Sequence, residues 1–407
     1  MAESVFLTEV ALRNYKSIAK CRVRLGPLTF LVGPNGAGKS NFLDALRLVS
    51  ESLTMSLESA LQERGGIAEV RRHSAGHPTH FAIKLDFSLP DHQRGRYGFQ
   101  VGAAKNAGFI VQEEVCEIEG SGGVPSAAFR VSNGVVKSSS EMIMPPAQED
   151  RLYLGAAAGV PPFRVLFDAL SHMGFYNFNP DEMRELQSPD AGKVLKRDGS
   201  NLASVLSSME KEHLGAYSQV VAFLSRIVPG VVGVCMRQFG KKETLEFRQY
   251  VVADGAPWRF MAENMSDGTL RVLAVLTALF QTIDGDSTRI PLVGIEEPEV
   301  AVHPGAAGIL RDALCVASAH TQVMATCHSP DLLDDRDILP ECILAATSTN
   351  GQTIIGPLDE TGKSSILNRL FTAGELMRQS QLFPVVGSTE ADNQDQLDLF
   401  PATESGS

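Results

Sequence analysis

The apolar positions of the first fifty residues change period once. Val5 to Leu12 and Cys21 to Leu25 read as short strands, Leu28 to Val32 is a compact apolar run, and from Lys39 onward Phe42, Leu43, Leu46 and Val49 recur every three or four residues. A period near two marks a strand and one near 3.6 an amphipathic helix, so this stretch predicts strand, glycine-rich loop, helix. His80 to Leu89, Arg96 to Val101, Phe109 to Ile118 and Ala127 to Val136 look like an antiparallel strand series with Gly- and Ser-rich turns between them. From Pro161 to about Ile227 the pattern turns helical, with Leu202, Val205, Leu206 and Met209 on one face and Val220, Val221, Leu224 and Ile227 on another. Strands around Val231 to Phe239 and Thr244 to Val252 follow, then a helix from Ser266, a buried strand at Ile290 to Glu296, a helix from His303 and a strand at Thr321 to Cys327. Strand alternating with helix implies a largely parallel sheet. No internal repeat and no long heptad region interrupts the pattern.

Composition narrows the class. The chain has 407 residues, 43% hydrophobic and 21% charged, with a mean hydropathy of -0.01, which suffices for a sizeable core in two lobes. Apolar runs such as Val272 to Leu276 fall far short of the roughly 18 residues a membrane helix needs, and the N-terminus lacks a basic-then-apolar signal pattern. The expected location is therefore the cytoplasm, with no membrane partner. Six scattered cysteines without a C-x-x-C pair fit reduced thiols better than disulfides or zinc. A formal charge of -12 argues against a surface that coats nucleic acid as a whole, though a local basic groove stays open. Arg64, Arg71 and Arg72 are candidates for a DNA-backbone patch, with a solvated basic loop as the plainer reading. His73, His77 and His80 lie close together without cysteines or paired carboxylates, a poor metal set.

The candidate chemistry sits at strand ends. Gly33, Pro34, Asn35, Gly36, Ala37, Gly38, Lys39 and Ser40 fit G-x-x-x-x-G-K-[ST], in which backbone N–H groups close around phosphates at a helix N-terminus, here continued by Asn41. This arrangement predicts ATP as ligand: Lys39 contacts the β and γ phosphates, and Ser40 ligates Mg2+. Thr361 to Ser364 also contains Gly-Lys-Ser, but Pro357 stands where the first glycine belongs, and no buried strand is expected to feed it. The run Ile290 to Ile295 ends in Glu296 and Glu297, two carboxylates at the tip of a predicted parallel strand. Glu296 suits magnesium, and Glu297 suits orienting or deprotonating the attacking water. Ser266 is placed to cap the helix that follows it.

These motifs resemble the ABC-type ATPase heads of the RecF, SMC and OLD-like families, over roughly residues 5 to 60 and 260 to 375. The resemblance implies an α/β fold of the P-loop NTPase kind, an ABC-type head with an antiparallel β subdomain and a helical second lobe. Its expected parts are residues 1–155 and 288–385 for the head, 156–287 for the lobe ending in the signature motif, and 386–407 for a disordered acidic tail. Met265 to Thr269 resembles the signature LSGGQ, so Ser266, Asp267 and Gly268 are expected to bind the γ phosphate held by a second subunit, implying a homodimer sandwiched on ATP. His328 resembles the family's switch histidine, Glu299 to Pro304 the D-loop, Asn14 to Ser17 the segment near the nucleotide, and Asp198 to Leu202 a weaker family-like stretch. Gln62 and Gln100 are the candidates for the Q-loop glutamine. The catalytic set is thus Lys39, Glu297 and His328. Glu296 replaces the more frequent aspartate, as in OLD-like members.

The resemblance extends by analogy to compact AAA-family ATPases that control a separate effector protein, a nuclease or other output, in prokaryotic antiphage defence. A RecF-like DNA-repair ATPase that binds DNA and an ATP-binding scaffold with little turnover are the alternatives. Beyond Gly387 the chain is acidic and poor in apolar residues, yet Gln396, Leu397, Asp398, Leu399 and Phe400 resemble the motif that binds the bacterial sliding clamp. A peptide covering Asp392 to Thr403 is expected to bind purified clamp in the micromolar range, roughly -8 kcal/mol. Replacing Leu399 and Phe400 by alanine should abolish that binding in a fluorescence-anisotropy titration; equal affinity for both peptides would remove the assignment.

Overall fold

The computed structural model describes residues 6–74, 78–89, 93–104, 108–120, 125–251, 255–283 and 288–385. His77 and the whole segment 386–407, including Gln396 to Phe400, lie outside the described residues. The chain opens with β1 (Leu7–Tyr15), β2 (Ile18–Arg24) and β3 (Leu28–Val32), then α1 (Lys39–Thr54), α2 (Leu57–Gln62) and α3 (Ile67–Val70). Five antiparallel strands follow: β4 (His80–Ser88), β5 (Arg94–Ala103), β6 (Phe109–Glu119), β7 (Pro125–Ser132) and β8 (Val135–Ser139). After α4 (Tyr153–Ala157) and α5 (Pro161–Ser171), β9 (Gly174–Tyr176) returns to the sheet. The second lobe comprises α6 (Pro180–Arg184), α7 (Leu202–Glu212), α8 (Leu214–Ile227), β10 (Val231–Phe239), β11 (Lys242–Gln249), β12 (Trp258–Met261) and α9 (Asp267–Phe280). A short ribbon of β13 (Thr282–Ile283) and β14 (Thr288–Arg289) leads to β15 (Leu292–Glu296), α10 (Pro304–Ser318), β16 (Gln322–Cys327), β17 (Ile343–Thr349), β18 (Gln352–Pro357), α11 (Glu360–Leu367) and α12 (Ala373–Arg378).

One sheet of thirteen strands unites the head, in the order β8-β7-β6-β5-β4-β1-β2-β18-β17-β3-β16-β15-β9. Strands β9, β15, β16, β3 and β17 run parallel, whereas β8 through β2 form an antiparallel arm. Alternation divides the parallel strands between two cores. Phe30, Val32, Val293, Ile295, Val323 and Ala325 face α8, α9 and α10, while Leu31, Leu292 and Met324 face α1 and the arm. Burial on both faces explains why these strands read as unbroken apolar runs. The central helix of the second lobe, α9, is buried almost all round, from Thr269 through Phe280 with Arg271 the exception.

Three expectations change. The stretch Ala127 to Val136, expected as one strand, is a hairpin: Asn133 and Gly134 adopt φ of 46° and 71°, the left-handed pair of a tight two-residue turn. A second hairpin, β17 and β18, turns at Asn350 and Gly351 in the same way and places a strand directly before Thr361 to Ser364. That Gly-Lys-Ser nevertheless lies inside α11, whose N-terminus is capped by Asp359, so it forms no phosphate loop. Helices α4 and α5 bury Tyr153, Leu154, Phe163, Leu166 and Leu170 in the core of the arm, so the helical lobe begins after β9 rather than at residue 156.

The proposed basic patch also resolves differently. Arg64 is buried and paired with Asp44 at 3.0 Å and Glu51 at 2.7 Å; Lys16 and Arg47 reach the same Asp44 at 2.5 and 2.7 Å, and Tyr15 donates its hydroxyl at 2.8 Å. Arg64, a DNA-backbone candidate by charge alone, therefore joins β1, α1 and α2 internally. Despite the cost of burial, the surrounding cations hold the Asp44 carboxyl well below the usual carboxylate range. Replacing Asp44 by asparagine removes the carboxylate shared by Lys16, Arg47 and Arg64, leaves Arg64 with Glu51 alone, and should cost about 3 kcal/mol in urea unfolding. Arg24→Ala, at the exposed pair with Glu9, is expected to change stability by less than about 0.5 kcal/mol.

Candidate nucleotide site

The phosphate loop joins the end of β3 to α1. Gly38 stands at φ 92°, and a Cβ there would collide with the Thr353 side chain, so the position requires glycine for both its backbone and its space. No side chain caps α1, which leaves the N–H groups of its first turn to an anion. Lys39 is buried beneath the loop, its Nζ donating to the carbonyls of Gly33 at 2.7 Å and Pro34 at 3.0 Å. Burial draws its pKa down to about 8, partly offset by the carboxylates of Glu297 and Glu299. Pro34, Asn35, Gly36 and Ser40 are exposed, whereas Ala37 is packed into the core. Asn41 donates to Ser17 Oγ at 2.7 Å, and Ser17 shares a 2.7 Å hydrogen bond with Thr353, tying the β1–β2 turn to the loop.

Next to this loop, β16 and β15 end at the same level. Glu297 adopts φ 48° and Ala301 φ 64°, both left-handed and neither glycine, in two consecutive tight turns after β15. The Glu297 N–H donates to Thr326 Oγ1 at 3.1 Å, and Glu299 accepts the N–H groups of His328 at 2.6 Å and Ser329 at 2.9 Å. These bonds fix the His328 ring between Lys39, 3.5 Å from Nδ1, and Glu297, 3.2 Å from Nε2. Because ammonium can only donate, Nδ1 accepts and Nε2 carries the proton toward Glu297. Desolvation, then the Lys39 charge, lowers the His328 pKa, which keeps that tautomer neutral. Lys39, His328 and Glu297 thus form one polar chain. Glu296 lines a cavity of about 190 Å³ with Ser40, Asn41, Lys16, Arg47 and Arg197. Ser40 and Glu296 are hard oxygen donors from two elements converging on one cavity, a set that fits magnesium.

The signature segment stands elsewhere. Ser266 caps α9 through its own Thr269 N–H at 3.2 Å, and Asp267 pairs with Arg184. Ser266 and Asp267 are exposed, and none of Ser266, Asp267 and Gly268 lines the cavity. A Cβ on Gly268 would strike the carbonyl oxygen of Ala301, so the signature glycine is pressed against the turn that follows the carboxylates. Gln62 bonds Glu58 on α2, and Gln100 bonds Gln112 in the arm; neither belongs to the site. One residue beyond the Ile295–Tyr176 pair, the position beside Glu296 is held by Asn177, whose N–H donates to the Arg197 carbonyl at 3.0 Å. Sequence reasoning missed Asn177 and Arg197. A three-residue strand gives too little periodicity to announce the first; only the stretch beginning at Asp198 hinted at the second. His73 is bonded to the Ala68 carbonyl, and His80 lies on β4, with its pKa lowered by burial and Arg13.

With the phosphate loop at the end of β3 and the carboxylates at the end of β15, parallel strands on either side of β16, and the helical lobe inserted between β9 and β15, the chain has the fold of an ABC-type P-loop ATPase head. It belongs to the family of AAA domains described as putative AbiEii toxin, type IV TA system, whose profile matches residues 28–117 and 188–334. The chain is similar to the Old nuclease of Escherichia phage P2, with 24% identity over 423 aligned positions covering 96% of this chain and 69% of that protein. In fold it is similar to an Smc head bound to the C-terminal winged-helix domain of ScpA, with a TM-score of 0.55 and 12% identity over 88% of this chain and 99% of that one. An Smc head from Pyrococcus furiosus with an extended coiled coil, bound to the C-terminal domain of ScpA, gives 0.50 and 11% over 90% and 99%. Among the described residues, no helix is long and apolar enough to cross a membrane.

The lowered pKa of Lys39 predicts how nucleotide affinity depends on pH. Phosphate favours the charged form, so affinity is full below pH 8 and falls by up to about tenfold per unit above it, as Lys39 must take up a proton to bind. Titration with a fluorescent ATP analogue between pH 7 and pH 9.5 checks this; a flat profile would contradict it.

Proposed function

We propose that this ATPase is a dimeric switch, in which ATP and magnesium bound by one subunit are completed by the signature segment of another. Gly33 to Ser40 wrap the phosphates, Lys39 faces the β and γ groups, and Ser40 and Glu296 hold the cation. Glu297 orients the attacking water, and His328 links that carboxylate to Lys39, so loss of the terminal phosphate is felt along the whole polar chain. The observation that carries the dimer reading is the exposed, self-capped Ser266–Asp267 turn, which opens α9 outside its own subunit's cavity. Magnesium supplies charge neutralisation and orients the phosphate oxygens when bound.

The state of this switch controls an effector protein in antiphage defence. Support comes from the family's description as a putative toxin of a type IV TA system and from the similarity to a nuclease of a phage. The residues named here supply the ATPase; cleavage or toxicity would come from a partner.

Lys39→Ala should abolish nucleotide binding, whereas Glu297→Gln should bind ATP, lose at least about a hundredfold in turnover and accumulate as a dimer by light scattering. A Glu297→Gln protein that turned over at the wild-type rate would refute the catalytic role. Ser266→Arg should block association and turnover but spare binding to the isolated head. A mixture of Lys39→Ala and Ser266→Arg subunits contains one intact composite site, so partial recovery of turnover is expected; absence of recovery would contradict independent sandwiched sites. In a host carrying the system, Lys39→Ala should also remove protection from phage, measured as plating efficiency.

A further inference from the structure

Arg197 crosses from the helical lobe into the cavity and places Nη2 3.1 Å from Glu296 Oε1. The pair closes the same space that Ser40 lines, and it sets a cation against the carboxylate assigned to the metal. We propose that Arg197 is a nucleotide-responsive latch, which neutralises Glu296 while the site is free of nucleotide and moves to the terminal phosphate when a magnesium–nucleoside triphosphate enters. The proposal rests on the reading of the cavity as a nucleotide site.

Three features of the structure carry it. First, Glu296 is the last residue of a buried parallel strand, and its side chain is only partly exposed, so its charge requires a counter-ion. A divalent cation on that carboxylate displaces a guanidinium from the same oxygen by like-charge repulsion, and the incoming triphosphate offers the displaced group a new anion. Guanidinium suits both partners because its forked donors fit carboxylate and phosphate alike. Second, the Arg197 backbone is anchored while its side chain is half-exposed. Asn177 and Asn179 donate to the carbonyls of Arg197 and Asp198, both at 3.0 Å, Lys196 donates to the Asn201 side chain at 2.8 Å, and Gln187 bonds Gly199 and Ala203. The side chain therefore swings from a fixed base, and the anchors tie that base to β9, beside the β15 strand carrying Glu296.

Third, the same loop runs directly into α7, which packs against α9, the helix opened by Ser266. Exchange of Arg197 between carboxylate and phosphate thus changes the tie between head and helical lobe at the point where the lobe presents its signature segment. A salt bridge serving only stability would join these surfaces without regard to which nucleotide is present.

The test uses the full chain with fluorescent ATP and ADP analogues, titrated at fixed and at varied magnesium, comparing wild type with Arg197→Ala and Arg197→Lys. For Arg197→Ala, affinity for the ATP analogue should fall about tenfold and that for the ADP analogue less than about twofold, the loss of one charge-assisted contact to the terminal phosphate. The free magnesium giving half-maximal binding should fall severalfold, because Glu296 is no longer shared. Arg197→Lys should recover part of the ATP preference. Unchanged ATP and ADP affinities with an unchanged magnesium requirement would overturn the latch, as would equal losses for both nucleotides accompanied by a lower melting temperature. Failure of the wild-type chain to bind either analogue would instead remove the nucleotide reading on which the latch stands.

Discussion

The buried ammonium of Lys39 is the constraint around which the site is built. Its direct partners are two loop carbonyls and the His328 ring, with the charges of Glu297 and Glu299 acting from further away. Carbonyl dipoles compensate a buried cation only in part, so its proton is held less tightly than in water. A phosphate supplies the missing negative charge. The loop is thereby shaped and charged for an anion.

The rest of the head transmits what happens at that lysine. His328 is placed by two backbone N–H bonds to Glu299, and Glu299 belongs to the strained double turn that begins at Glu297 and includes Ala301. Ala301 in turn presses its carbonyl against Gly268 at the start of α9. One short segment therefore touches Thr326, His328 and Gly268. Backbone conformations that cost free energy in isolation persist here because hydrogen bonds and close packing over-determine them. Movement of either neighbour requires the turn to respond.

Arg197 adds a second link between the lobes, through Glu296. The two links differ in kind. The contact of Gly268 with Ala301 is steric and independent of charge, whereas the Arg197–Glu296 pair is electrostatic. A head connected both ways can respond to cation and phosphate through one path and to the geometry of the turn through the other, with the helical lobe as the common output.

The chemistry of the phosphate loop and of the paired carboxylates was legible in the sequence because both are local. Backbone spacing alone places Gly38, Lys39 and Ser40 at the start of α1, and an apolar strand ending in Glu296 and Glu297 must deliver them to its tip. The strands of the arm and the capped start of α9 were legible for the same reason. What the tertiary structure decided is everything that depends on residues far apart in the chain. Tyr176 and Glu296 come from segments more than a hundred residues apart, and only the sheet register brings β9 beside β15. Arg64 looked like a surface cation until the fold wrapped it around Asp44, and nothing in the local sequence marks Arg197 as the residue that meets Glu296. Periodicity records which face of an element is buried; it carries no record of which distant charge will meet it, because that choice is made by the packing of whole elements.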